Sequence, residues 1–115
     1  MAGAVNVLYG SAAGLTSDGN QFWSQDSPGI LDQSELGDEM GWSVTGADYD
    51  GDGFADMATG DREERVGTVY SAGATSVIYG GPTGLTDVGN QFWNQDSDGI
   101  LDQCEQSDVF GMAIG

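Results

Sequence analysis

The chain has 115 residues, which is enough for one small domain with a hydrophobic core but short for any architecture of many repeats. Its formal net charge is −17 and its only basic residues are Arg62 and Arg65, which argues against nucleic acid and anionic membranes as partners. Histidine is absent and Cys104 is the single cysteine, so disulfides within the chain, thiolate zinc sites and Ser-His-Asp catalysis are excluded. Divalent cations are the natural counter-charge, although the acidic residues also favour solubility or growth in salt.

The 20 glycines and the aromatic residues predict many short strands joined by tight turns, with almost no helix. No apolar run approaches the length of a membrane span, and no basic-then-apolar signal segment opens the chain. We therefore expect no membrane insertion.

The first part of the chain belongs to an internal repeat. Residues 6–10 (NVLYG) return as residues 76–80 (SVIYG), and residues 19–23 (GNQFW) return as residues 89–93, in both cases 70 positions later. Since a unit is about 70 residues long, the chain holds about 1.6 units and reads as a fragment of a repeat protein. We predict that residues 1–40 form the last two strands of a preceding unit and a connector.

The middle of the chain, residues 41–96, is predicted to be one complete unit. Its predicted strands cover residues 42–46, 55–59, 74–79 and 91–95, with a tight turn at 80–84. Four antiparallel strands per unit are typical of a propeller blade. Residues 97–115 are predicted to be a connector and the first strand of the next blade.

Two Phe-Trp pairs occur at equivalent positions of the repeat, Phe22-Trp23 and Phe92-Trp93. Neighbouring residues of a strand face opposite sides, so these side chains can pack between blades or form a platform on which sugars stack. Their repetition favours packing.

The acidic loop at residues 48–56, DYDGDGFAD, has carboxylates at its first, third, fifth and ninth positions. Ca²⁺ takes about six to eight oxygen ligands, which a tight loop with alternate residues turned inward supplies. Gly53 permits the tightest bend. The predicted ligands are the carboxylates of four residues and the carbonyl oxygen of a fifth: Asp48, Asp50, Asp52, Asp56 and Phe54.

The loop differs from an EF-hand, whose closing acid is at position twelve. Here Thr59 holds that position and Asp56 closes the loop, so the ion would join two consecutive strands. Mg²⁺ is less suited, because it prefers a strict octahedron and keeps its waters. The alternative is an Asp-Gly hairpin without metal.

Residues 37–60 (GDEMGWSVTGADYDGDGFADMATG) resemble the core of an FG-GAP repeat. The Phe-Gly start of that family corresponds to Phe110-Gly111 and more loosely to Met40-Gly41. The family's Gly-Ala-Pro is replaced here by Gly60, Asp61 and Arg62.

The resemblance implies a β-propeller of the kind found in integrin α subunits, with Ca²⁺ loops under the blades, and an extracellular or cell-surface location. We expect an all-β fold of antiparallel four-stranded blades, with one complete blade plus flanking strands. Self-association would complete it as a homo-oligomer, by pairing or swapping of residues 110–114 with strands at the start of another copy.

The expected function is a calcium-binding module with a structural or adhesive, protein-binding role. A carbohydrate-binding, lectin-like module is the alternative, so the ligand is a protein or a glycan. A fragment of an enzyme is a third class. We expect no enzyme, because an enzyme would need an acid and a base held across a cleft, whereas the sequence places its acids in turns and in one metal loop.

Overall fold

The computed structural model describes residues 3–114, which fold into six β-strands. In chain order the strands are β1 (Val5–Ser11), β2 (Gly14–Trp23), β3 (Met40–Ala47), β4 (Asp56–Asp61), β5 (Ala74–Gly81) and β6 (Gly84–Trp93). Within residues 3–114 there is no helix long and apolar enough to cross a membrane.

The strands form two antiparallel sheets. Strands β1 and β2 form a hairpin, and the other four form one sheet in the order β3-β4-β5-β6. Strand β4 is buried along its whole length and lies between β3 and β5. The predicted all-β fold and its four-stranded antiparallel sheet are thereby confirmed, and residues 3–114 form no closed propeller.

The last strand of the sheet was predicted incorrectly. Strand β6 begins at Gly84, directly after a two-residue turn, and not at residue 91. Gly84 has a positive φ of 112°, which lets the chain reverse there and continue at once as a strand. The strand is hard to recognise in the sequence, because the stretch that follows Gly84 is largely polar. The register of β5 and β6 slips between Val77 and Tyr79, so residues 87–90 are not paired with β5.

The sequence repeat is also a structural repeat. Tyr9 pairs with Thr16 in the hairpin as Tyr79 pairs with Thr86 in the sheet, and the same register slip precedes each tyrosine. The bridge between Gly3 and Met40 also returns 70 positions later, between Gly73 and Phe110. Apart from that bridge, residues 110–114 are in no strand of the described chain, so their pairing with another copy stays a prediction.

The hydrophobic core lies between the hairpin and one face of the sheet. Its buried side chains come from both sheets and from the connector after β2: Val5, Ile30, Met40, Met57, Ile78 and Leu85. Trp23 and Val7 pack against this cluster, as the packing interpretation of the tryptophan requires. Phe22, its neighbour on the opposite side of β2, is exposed.

A buried polar network joins the connector to the sheet. The Gln25 side chain donates a hydrogen bond from Nε2 to Oε2 of Glu64, 2.6 Å away, and both residues are buried. Burial, followed by a hydrogen bond with Asp32, raises the pKa of Glu64 well above its usual value. Burial likewise raises the pKa of Asp61 to about 7, against a hydrogen bond from Ser76 that lowers it.

Neither arginine neutralises this network. Arg62 forms ion pairs with Glu39 and Glu63 and lies over the ring of Trp42, and the Nε of Arg65 donates to a nearby carbonyl oxygen. No arginine therefore offsets the effect of burial, which raises the pKa of Glu64 and favours its protonated form.

Replacing Glu64 with glutamine should make the folded state less sensitive to pH. Because burial raises the pKa of Glu64, the folded chain keeps this proton at pH values where the unfolded chain, with a pKa of about 4.5, has lost it. The contribution of Glu64 to the free energy of unfolding is therefore complete below that pH and is lost as the pH rises. The loss amounts to about 1.4 kcal/mol per pH unit at most. In EDTA, the melting temperature of E64Q relative to wild type should rise from pH 5 to pH 8.

The matched control is E105Q, at an exposed carboxyl, which should follow the wild type at every pH. A constant difference between E64Q and wild type from pH 5 to pH 8 would contradict the protonated state of Glu64.

Candidate metal site

The acidic loop connects β3 to β4, the first two strands of the four-stranded sheet. Asp48, at its start, binds the backbone of the loop with both carboxylate oxygens. Oδ1 accepts from the N–H of Gly51 at 2.7 Å, and Oδ2 accepts from the N–H of Gly53 at 2.8 Å. These bonds, the one from Gly53 first, lower the pKa of Asp48 and keep it ionised.

The two glycines of the loop have the conformation that the tight bend requires. Gly51 has a φ of 79° and Gly53 a φ of 92°, in the region that residues with a Cβ rarely adopt. This backbone turns successive N–H groups toward the Asp48 carboxylate. Gly53 therefore has the role that the sequence predicts for it.

Asp56 is the first residue of β4, and its side chain is buried. Its Oδ2 accepts a hydrogen bond from the N–H of Tyr49 at 2.7 Å, and its Oδ1 accepts one from the N–H of Gly80 at 2.8 Å. Tyr49 lies in the loop and Gly80 in β5. One carboxylate thus connects the loop to the third strand of the sheet.

Sequence reasoning missed Gly80 as part of this site. A Cβ at Gly80 would overlap the carbonyl oxygen of Ala55, so only glycine lets β5 come close enough to donate to Asp56. The signal for it was weak, because the Tyr-Gly pair occurs in both copies of the repeat and Gly10 has no such neighbour.

Three of the predicted carboxylates come together. One oxygen each from Asp48, Asp50 and Asp56 lies within 4.8 Å of the others, and no other such cluster of three metal-ligating side chains occurs in residues 3–114. Desolvation, and then repulsion from Asp52 and Asp56, raises the pKa of Asp50. A bound cation would remove that repulsion.

The other two predicted ligands lie differently. The Oδ1 of Asp52 accepts a hydrogen bond from the N–H of Phe54 at 2.9 Å, and Asp52 is not part of the group of three. Ligation by Asp52 and by the carbonyl oxygen of Phe54 stays a prediction.

The donor chemistry of the site fits a hard divalent cation. The three convergent ligand atoms are all carboxylate oxygens, with no nitrogen or sulfur among them. A carboxylate that accepts backbone N–H groups still has free lone pairs, so the hydrogen bonds of Asp48 and Asp56 are compatible with ion binding. Asp48, Asp50 and Asp56 are the residues that would hold the ion.

A four-stranded antiparallel sheet with an acidic loop between its first two strands defines an all-β repeat module. Comparison with known families matches residues 40–78 to the FG-GAP repeat, so this part of the chain is an FG-GAP repeat. The match covers β3, the acidic loop, β4 and the first part of β5. Searches of curated proteins and of solved structures give no match.

Replacing Gly80 with alanine should destabilise the fold, because the added methyl group overlaps the Ala55 carbonyl and separates Gly80 from Asp56. A loss of about 1–3 kcal/mol in the free energy of unfolding is expected from such overpacking. Urea denaturation followed by tryptophan fluorescence measures it.

Gly10 is the matched control, since it is the same position of the preceding repeat and a Cβ there meets nothing within 4 Å. G10A should be neutral or slightly stabilising. Equal destabilisation by G10A and G80A would rule out the specific role of Gly80.

Proposed function

We propose that this chain is a calcium-binding FG-GAP module of an extracellular or cell-surface protein, with a structural or adhesive, protein-binding role. The observation that supports this most is the convergence of Asp48, Asp50 and Asp56 at one point of the loop. The match of residues 40–78 to the FG-GAP repeat agrees with it, since such repeats often bind Ca²⁺.

A structural role for the ion follows from where its ligands are attached. Asp48 and Asp50 lie in the exposed loop, whereas Asp56 is buried in β4 and bonded to β5. An ion held by all three would fasten the loop to the middle of the sheet. Because an ion that binds only the folded state stabilises it, Ca²⁺ would raise the free energy of unfolding.

The charge of the loop supports an ion of this kind. Four carboxylates lie within nine residues, and both arginines bind elsewhere, at Glu39, Glu63 and the Gly67 carbonyl. Cation-free loops of this type would keep their mutual repulsion. Extracellular modules bind Ca²⁺ with dissociation constants of about 10⁻⁴–10⁻³ M, which suits a site built largely from an exposed loop.

The exposure of two aromatic side chains supports the adhesive part of the proposal. Tyr49 and Phe54 are exposed on the metal loop, and aromatic side chains are enriched in protein interfaces. The proposal includes no catalytic step. The carboxyls with the most raised pKa values, Glu64 and Asp61, are buried.

Calcium should stabilise the wild-type chain and should not stabilise D50A. At a calcium concentration about ten times the dissociation constant, the free energy of unfolding rises by about 1.4 kcal/mol. D50A removes one of the three convergent carboxylates, so thermal unfolding in EDTA and in millimolar Ca²⁺ should give nearly the same melting temperature for the variant.

D98A is the matched control, because it removes one exposed carboxylate outside the loop and should keep the full calcium response. Identical melting curves of the wild type in EDTA and in Ca²⁺ would refute the calcium site and support the Asp-Gly hairpin without metal.

A carbohydrate-binding role is the second candidate, and the exposure of the Phe22 ring favours it. Aromatic rings stack on sugars only where their faces are open. If this role is correct, titration with sugars should change the tryptophan fluorescence of the wild type, and F22A should abolish the change. If the fluorescence responds only to Ca²⁺, the adhesive role stands and the carbohydrate role fails.

A further inference from the structure

The hairpin β1-β2 and the sheet are held together by a specific polar contact. The N–H of Leu85 donates to the hydroxyl of Tyr9 at 3.0 Å and to Oε1 of Gln21 at 3.1 Å. In return, Nε2 of Gln21 donates to the carbonyl oxygen of Leu85 at 2.8 Å. The Leu85 side chain is buried in the core beside them. We call this arrangement the hairpin–sheet contact.

A second pair of hydrogen bonds joins the connector after β2 to β6. The Asn90 side chain donates from Nδ2 to the carbonyl oxygen of Gly29 at 2.7 Å, and its Oδ1 accepts from the N–H of Leu31 at 2.9 Å. Both contacts therefore join one copy of the repeat to the next.

The tyrosine and the glutamine of the hairpin–sheet contact have equivalents on the side of the sheet that the hairpin does not cover. Tyr79 and Gln91 are the repeat equivalents of Tyr9 and Gln21, and the hydroxyl of Tyr79 donates to Oε1 of Gln91 at 3.1 Å. No leucine backbone lies against this pair within residues 3–114. A groove of about 540 Å³ lies beside it, lined by Val77, by Tyr49 of the metal loop and by Ala113 and Ile114. We call Val77, Tyr79 and Gln91 the open sheet face.

The leucine of the hairpin–sheet contact has its equivalent on the hairpin. Leu15 is the repeat equivalent of Leu85, and its exposed fraction is 75% where that of Leu85 is 8%. Leu8 is equivalent to Ile78, and the exposed fractions are 49% and 0%. Phe22 is exposed on the same side of the hairpin. We call Leu8, Leu15 and Phe22 the free hairpin face.

The connector bond has its unused equivalents too. Asn20 corresponds to Asn90, and the two side chains donate to the same kind of carbonyl in their own turns, at Ser17 and at Asp87. The equivalents of Gly29 and Leu31 are Gly99 and Leu101, and both are exposed.

From this repetition we propose that a second copy of this chain docks its free hairpin face onto the open sheet face, reproducing between chains the hairpin–sheet contact found within the chain. In such a pair, Tyr79 and Gln91 of one copy would bind the Leu15 backbone of the other. Asn20 would bind the backbone at Gly99 and Leu101.

The contact is head-to-tail, because the two faces differ and lie at opposite sides of the same chain. A heterologous contact of this kind repeats, so the copies either close into a ring or extend as a filament. Neither face includes a charged side chain, and at physiological salt the repulsion between the acidic chains is screened beyond about 8 Å. The contact is therefore compatible with the net charge of −17.

The inference goes beyond the proposed function, since none of the loop carboxylates takes part in the contact. Sedimentation velocity of the full chain at 0.15 M salt, in EDTA and in millimolar Ca²⁺, tests it. The wild type should sediment as multiples of 11.9 kDa in both conditions wherever the chain stays folded.

Two variants separate the faces. L15D places a charge on the free hairpin face, and Y79D places one on the open sheet face. Each should sediment as a single chain of 11.9 kDa. L36D is the matched control, because Leu36 is 98% exposed and lies on neither face, so this variant should associate as the wild type does. Far-UV circular dichroism checks that all three variants are folded.

A mixture of L15D and Y79D gives the sharpest result. L15D keeps an intact open sheet face and Y79D keeps an intact free hairpin face, so the mixture should form dimers of one copy each and nothing larger. A wild type that sediments as a single chain, a mixture that stays monomeric, or loss of association in L36D overturns the inference.

The calcium proposal and this inference fail separately. A calcium-dependent melting temperature in a chain that stays monomeric overturns the head-to-tail contact and leaves the calcium site. If the chain associates but its melting temperature does not change with Ca²⁺, the calcium site is overturned and the head-to-tail contact stands.

Discussion

The position of the Asp56 carboxylate is the constraint on which the acidic end of the sheet depends. A buried carboxylate is stable only when its oxygens have hydrogen-bond donors, and here the donors are the N–H groups of Tyr49 and Gly80. These two bonds set the start of β4, hold the loop against it and require a glycine in β5. The same carboxylate also faces Asp48 and Asp50, so the structural anchor and the candidate ion site share one residue.

Repetition organises the rest of the molecule. The hairpin covers one face of the sheet through Tyr9, Gln21 and the backbone of Leu85, and the equivalent side chains recur on the opposite face. A repeat unit of this kind buries its apolar side chains only against a neighbour, which explains why Ile78 is fully buried while its equivalent Leu8 is half exposed. The stability of each blade is therefore tied to what covers it.

The acidic loop and the buried acids differ in the environment that surrounds their carboxyl groups. At the loop, backbone N–H groups bind the exposed Asp48 carboxylate and lower its pKa. Under the connector, Glu64 is removed from water beside Gln25, and burial makes the protonated form the stable one. The departure from Gly-Ala-Pro belongs to this region, since Asp61 is buried against Ser76 and Arg62 lies over Trp42. An acidic chain thus combines a carboxylate cluster that could hold a metal ion with buried carboxyls whose protonated form is favoured by burial.

The sequence alone was sufficient for the all-β class, the four-stranded unit and the acidic loop, because strand alternation, glycine turns and carboxylate spacing are local properties. It also singled out Asp56, which the structure brings together with Asp48 and Asp50. It did not show the start of β6, since a register slip makes the polar residues after Gly84 look like a loop. Gly80, the Gln25–Glu64 pair and the free faces at Leu15 and Tyr79 were decided only by tertiary structure, because each depends on residues brought together from distant parts of the chain.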